Sequence, residues 1–198
     1  MDLIIATKNK GKLEEIKDLL QDLDINLTSL LDYPDLPEII EDGQTFLENA
    51  RIKASAISQA TGKWALGDDS GLVVAALNGE PGINSARYAG SQADHAANNE
   101  KLLKEMKDVP KDKRQAYFIC TMVLISPDGK QWDIEEKCHG EIAYDYRGTK
   151  GFGFDPLFYL PDYGQTMAEL PMKEKNKISH RGKALRHMKE ILKRVWSG

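Results

Sequence analysis

Trp64-Ala65-Leu66-Gly67-Asp68-Asp69-Ser70-Gly71-Leu72-Val73-Val74-Ala75 is the stretch around which the chain is organised. Its apolar ends, Trp64–Leu66 and Leu72–Ala75, read as short buried strands, with an acidic turn over Gly67–Gly71 between them. Adjacent carboxylates at the mouth of buried strands are costly unless their charge is offset, and a divalent cation is the usual solution. Asp, Ser and Gly also favour ordinary solvated turns, so the stretch by itself leaves both readings open.

Residues 2–6 read as a short buried strand, followed by Thr7-Lys8-Asn9-Lys10-Gly11-Lys12. From Leu13 onward, apolar residues at 13, 16, 19, 20 and 23 form a helical stripe. A strand, a short polar loop and a helix aim free backbone N–H groups and the positive helix end at whatever lies above the strand. Three lysines, a hydroxyl and an amide gathered there suit a triphosphate, although the Walker spacing is absent, and they equally suit a solvated loop whose lysines border a helix. Residues 25–31 form a second expected strand. A loop with Pro34 and Pro37 then carries Glu38, Glu41 and Asp42. Thr45-Phe46-Leu47-Glu48 is a capping box, predicting a helix that stops near Gly62. Asn49 and Lys53 lie one helical turn apart on it.

Downstream of the acidic stretch, 77–82 is dense in turn residues, Ser85-Ala86-Arg87-Tyr88 follows, and a helix is expected from about Ala93 to Met106. Residues 116–126 form the longest apolar run and read as a central strand. It turns at Pro127–Lys130 and returns over Gln131–Cys138. Gly151-Phe152-Gly153-Phe154-Asp155-Pro156 lets backbone approach a flat ligand while an aromatic face stacks on it, or lets the two Phe residues plug the core. Ser179 is a natural N-cap for a last helix with apolar residues at 185, 188, 191, 192 and 195. That places His180 and Arg181 in its first turn, where a cation opposes the helix dipole at a cost of roughly a few tenths of a kcal/mol. That cost points to an anion or carbonyl-bearing ligand for Arg181, with a plain surface His-Arg pair as the other reading.

The 198 residues fit one domain, 1–198, with an α/β architecture around a mixed sheet. A hydrophobic share of 41%, a net charge of −4 and a pI near 5.6 describe a soluble acidic protein, which argues against nucleic acid or a membrane as partner. There is no apolar stretch of spanning length and no secretory pattern at the N-terminus. Cys120 and Cys138 match no zinc spacing and fit a reduced, cytoplasmic setting, with a bridge between them left open.

A cationic loop at a helix start, an acidic pair and an aromatic-plus-donor segment together outline a nucleoside triphosphate site. On these residues the chain resembles the inosine/xanthosine triphosphate pyrophosphatases, house-cleaning enzymes that remove deaminated purine nucleotides. The carrying motifs run in the family's order: Ala6–Lys12, Thr45–Ala50, Asp68–Leu72, Pro81–Gly82 with Ser85–Tyr88, Gly151–Pro156 and Ser179–Arg181. The resemblance implies an elongated mixed β-sheet flanked by helices, with two lobes and a central active-site cleft. It implies Mg²⁺-dependent hydrolysis of ITP, dITP and XTP to the monophosphate and pyrophosphate by a homodimer. Thr7, Lys8, Asn9, Lys10, Gly11 and Lys12 are then expected to hold the phosphates. Asp69 is expected as base and metal ligand, with Glu41 as second ligand and Glu38 in reserve. Ser70 adds a substrate contact, and Phe152, Gly153, Phe154, Asp155, Lys175, His180 and Arg181 form the base pocket.

Overall fold

The computed structural model describes residues 1–90 and 94–196. Its strands are β1 (Asp2–Ile5), β2 (Asn26–Ser29), β3 (Trp64–Val74), β4 (Gln115–Ile125), β5 (Gln131–Ile142), β6 (Phe158–Leu160) and β7 (Gln165–Thr166). Its helices are α1 (Lys10–Leu20), α2 (Phe46–Thr61), α3 (His95–Glu105), α4 (Met172–Ile178) and α5 (His180–Trp196). The strands hydrogen-bond in the order β2-β1-β3-β4-β5-β6-β7. β1 runs parallel to β2 and β3, whereas β6 is antiparallel to β5 and β7, so the sheet is mixed as expected.

Several boundaries differ from the sequence reading. The stretch 64–75 is not two strands around a turn: β3 is one continuous strand that carries the acidic pair in its middle. Buried partners for both carboxylates remove the need for a solvated turn. Helix α1 starts at Lys10 rather than Leu13, because the Asn9 side chain caps it by accepting from the Lys12 N–H. Gly11 and Lys12 therefore belong to its first turn. The helix expected from Ala93 begins at His95, capped by Asp94; Ala93 lies outside the described residues. Strand β5 continues past Cys138 to Ile142, and α4, β6 and β7 had no signal strong enough to read. The capping box at Thr45 and Glu48 forms as expected, and α2 ends on Gly62 in the left-handed conformation.

The described residues divide into two compact units. The first comprises Met1–Asp69, Cys120–Glu136 and the segment from Arg181 onward. Within it, alternate residues of each strand feed two apolar layers, as the period of two demands. Leu3, Ile5, Leu66, Cys120, Met122 and Leu124 meet α1 and α5; Ile4, Ala6, Ala65, Val123 and Ile125 meet α2. At one margin Trp64 stacks on Trp132 at 5.7 Å and meets Trp196 edge-on at 5.9 Å. The second unit comprises Ser70–Ile119 and Lys137–His180, and packs α3 residues Leu102 and Leu103 against β-strand and loop residues such as Leu72, Phe118, Phe154 and Phe158.

Helix α2 lies so close to β3 that a Cβ on Gly67 would stand 2.0 Å from the Ala50 carbonyl oxygen. That contact is backbone on backbone and no rotamer relieves it. Gly67→Ala is therefore expected to cost at least the 1–3 kcal/mol typical of overpacking, lowering the melting temperature by about 3–10 °C. An unchanged melting temperature would show that α2 can draw back from β3 at no cost.

Candidate active site

Neighbouring side chains on a strand point to opposite faces, so Asp68 and Asp69 enter different environments from one backbone. Asp68 falls on the face of Leu66, towards α1 and α5. Asp69 falls on the face of Ala65 and Gly67, towards α2.

Asp68 is buried, and its oxygens are taken up within the protein. It pairs with Lys12, accepts from the Cys120 thiol at 3.1 Å and from Arg181 Nε at 3.3 Å. Arg181 Nη1 in turn donates to Glu15 at 2.5 Å. Burial alone would raise the Asp68 pKa, but Lys12 and Arg181 overcome it and hold the carboxyl far below the usual range. Burial pushes the Cys120 thiol well up, which keeps it protonated and able to donate. Glu15, Arg181, Asp68 and Lys12 thus alternate in sign through the interior, the arrangement that makes buried charge tolerable.

Asp69 keeps more of its capacity. Its Oδ1 lies 3.5 Å from Lys53 Nζ, while its buried Oδ2 has no partner among the described residues. Burial raises its pKa, with Lys53 and Lys12 pulling the other way. Lys53 bridges Asp69 to Glu41, 2.7 Å from Nζ. Burial would discharge that ammonium, but Asp69 and Glu41 outweigh it. The Glu41 loop is fixed from both ends: Leu36 and Ile39 pack on the α2-side core, and the Gly43 N–H donates to Asn49 Oδ1 at 2.9 Å. Glu38, the reserve ligand, is exposed.

Asp69 and Glu41 are hard oxygen donors, and the partnerless Oδ2 is a buried acceptor in need of a cation or a proton. This set fits Mg²⁺, which binds through one or two carboxylates and keeps water and phosphate oxygens for its other positions. Among the described residues no cluster of three or more His, Cys, Asp and Glu could hold a metal, so a closed zinc-type cage is not on offer.

At the α1 start, Thr7 Oγ1 accepts from the Asn9 N–H at 3.2 Å, and the Asn9 carbonyl is spent on the cap. Lys8 and Lys10 are exposed, Gly11 is half-buried, and Lys12 is turned inward to Asp68. The first turn holds no acidic residue. The anion expected for Arg181 turns out to be the protein's own: Glu15 and Asp68.

In the second unit, Phe152, Asp155 and Lys175 come together. The Phe152 N–H donates to Asp155 Oδ2 at 2.9 Å, Lys175 pairs with the same oxygen, and its Nζ lies 4.9 Å from the Phe152 ring centre. Gly151, at φ +74°, is needed because a Cβ would stand 2.0 Å from Asp155 Oδ2. Phe154 takes the other role left open for it: it is 5% exposed and packs edge-on to Tyr88 in the core. His180 stacks on Phe118 at 4.7 Å. Ser70 is half-buried on β3. Both cysteines are free thiols, Cys120 in the first unit and Cys138 in the second, so no bridge joins them.

Lys53, Glu15, Cys120 and Asn99 were missing from the residues proposed on sequence. Lys53 had a signal in its one-turn spacing from Asn49. Glu15 and Cys120 had none beyond a charge inside an apolar stripe and an ordinary core thiol.

The model of the Ham1 family matches residues 3–191. The chain belongs to the Ham1 family. It is 53% identical over 196 residues to a protein of Geobacter sulfurreducens named dITP/XTP pyrophosphatase, covering 99% of this chain and 98% of that one. Among solved structures, a HAM1 protein from Coxiella burnetii superposes with a TM-score of 0.88 at 41% identity, covering 98% of this chain and 99% of that chain. A nucleoside-triphosphatase / dITP/XTP pyrophosphatase from Mycobacterium abscessus gives 0.76 at 39% identity, covering 95% and 97%. The mixed α/β fold is thus that of the Ham1 family.

Proposed function

We propose that this chain is a pyrophosphatase that hydrolyses the non-standard purine nucleotides ITP, dITP and XTP to monophosphate and pyrophosphate, keeping them out of DNA and RNA. The observation that carries the reading is the pair Asp69 and Glu41 around Lys53, in a chain similar end to end to proteins named dITP/XTP pyrophosphatase. Attack of water on phosphorus needs charge neutralisation and a positioned base more than it needs a covalent intermediate.

In this reading Asp69 and Glu41 hold Mg²⁺, which when bound offsets phosphate charge and makes water a better nucleophile. Asp69 takes the proton of the attacking water. The water oxygen bonds to the α-phosphorus, the bond to the bridging oxygen breaks, and pyrophosphate leaves. Lys53, Lys8 and Lys10, with Thr7, Asn9 and Gly11 at the α1 start, balance the triphosphate charge. Ser70 adds a substrate contact. Asp68 acts at one remove, by holding Lys12 in place. Phe152 offers an aromatic face, and Gly153, Asp155, Lys175 and His180 complete the base pocket. Donors there satisfy the 6-oxo group of hypoxanthine and xanthine, and leave the 6-amino group of adenine facing another donor. We assign the enzyme to the cytoplasm as a homodimer. Among the described residues no helix is long and apolar enough to cross a membrane.

The test is product analysis with ITP, XTP, dITP, GTP and ATP in the presence of Mg²⁺. Pyrophosphate is expected as the first product, with ITP, dITP and XTP turned over far faster than ATP. Orthophosphate as the primary product would refute the reaction, and equal rates on ATP would refute the substrate class.

A further inference from the structure

Asn98 and Asn99 stand side by side on α3, both buried, and they hold different parts of the second unit. Asn98 accepts from the Ala89 N–H at 2.7 Å and donates to the Ser85 and Ala86 carbonyls at 3.3 and 3.2 Å. Asn99 instead donates from Nδ2 to the Gly153 carbonyl at 2.9 Å. Gly153, at φ +63°, lies between Phe152 and Phe154 in the segment that presents Phe152 and Asp155. Four residues before Asn99, on the same face of α3, the His95 ring lies 6.3 Å from Phe152. One turn of α3, from His95 to Asn99, therefore touches the aromatic segment twice, once by ring contact and once by hydrogen bond.

The Asn99 amide is poorly explained as a packing residue. Its Oδ1 is buried with no partner among the described residues, a cost that an apolar side chain of similar size would avoid. What the amide provides is a side-chain donor to the Gly153 carbonyl, inside the segment between Phe152 and Asp155, where the Asp155 N–H already holds the Phe152 carbonyl at 3.3 Å.

We propose that Asn99 is a positioning residue for base recognition: by donating to the Gly153 carbonyl it holds Phe152 and Asp155 in the geometry that distinguishes the 6-oxo purines. This rests on the assignment of the 152–155 segment to the base. Displacements of about 1 Å in a positioning group cost up to ~10²-fold, and a group acting in binding shows its loss in KM rather than kcat.

The experiment compares Asn99→Ala, Asn99→Asp, Asn98→Ala and Phe152→Ala for kcat and KM on ITP and ATP, with melting temperatures alongside. Asn99→Asp keeps shape and an acceptor but removes the donor, so it decides the matter if Asn99→Ala fails to fold. Both Asn99 variants are expected to raise KM for ITP about tenfold or more, with kcat little changed, and to lower the ITP:ATP ratio of kcat/KM about tenfold. Asn98→Ala should lower the melting temperature and leave KM and the ratio within about twofold. An Asn99→Asp variant with native KM and ratio overturns the proposal, and so does an Asn98→Ala variant with the same kinetic defect. If Phe152→Ala raises KM while the Asn99 variants do not, the base assignment stands and the role of Asn99 falls. If Phe152→Ala is also without effect, the base assignment fails first and the proposal with it.

Discussion

Asp69→Asn is expected to lower kcat on ITP by about 10²–10⁴-fold, the usual contribution of a positioned general base. The substitution preserves volume, removes the charge and turns one acceptor oxygen into an NH2 donor. Lys53 retains Glu41 at 2.7 Å, so the ammonium is not stranded, and the contacts of Asp68 on the opposite face of β3 are untouched. The circular dichroism spectrum should match the parent's, and the melting temperature should move by only a few degrees. Steady-state kinetics with ITP and Mg²⁺ is the measurement. Near-native turnover would remove Asp69 from the chemistry and pass the base role to another group.

The largest effect on stability is expected at Arg181. Arg181→Ala takes a buried cation away from the buried Glu15 carboxylate and strips Asp68 of one of the two cations paired with it. Breaking a buried pair by removing one partner costs about 3–5 kcal/mol, which for a chain of this length lowers the melting temperature by on the order of 10 °C. Thermal denaturation checks this directly, and the ITP:ATP ratio of the surviving enzyme supplies a second readout. If the melting temperature holds and the ratio collapses, Arg181 reads the base, as the resemblance implies. If the melting temperature falls and the ratio holds, its function lies in ordering Asp68.

Local signals carried much of the fold. The Thr45–Glu48 box, the apolar stripe of α1 and the 116–138 hairpin all showed in sequence, because each is decided by residues a few positions apart. What escaped was decided by tertiary partners. β3 runs unbroken through Gly67-Asp68-Asp69-Ser70-Gly71 only because cations from α1, α2 and α5 meet the two carboxylates, and those helices are distant in sequence. α4 offers few apolar residues and no side-chain cap, so nothing marked it. The same holds for the site. Only the resemblance singled out Asp69 from its neighbour; the physical cause of the difference is strand alternation, visible once the stretch is a strand rather than a turn. Glu41 could be preferred over Glu38 only weakly on sequence; in the structure Glu41 is the one tied to Asp69 through Lys53. Glu15 and Cys120 matter through contacts that spacing does not encode, and spacing showed Lys53 only as a neighbour of Asn49, not as the bridge between Asp69 and Glu41.

The tryptophan stack has a spectroscopic consequence. All three tryptophans, Trp64, Trp132 and Trp196, belong to the first unit, while six of the seven tyrosines belong to the second. Red-edge excitation of indole therefore watches the half of the chain that carries Asp69 and Lys12, and is blind to the half that carries Phe152 and Asn99. Tyrosine emission has the opposite bias. A denaturant titration followed at both wavelengths separates the unfolding of the two halves without a label, and any lag between the curves belongs to an identified part of the molecule.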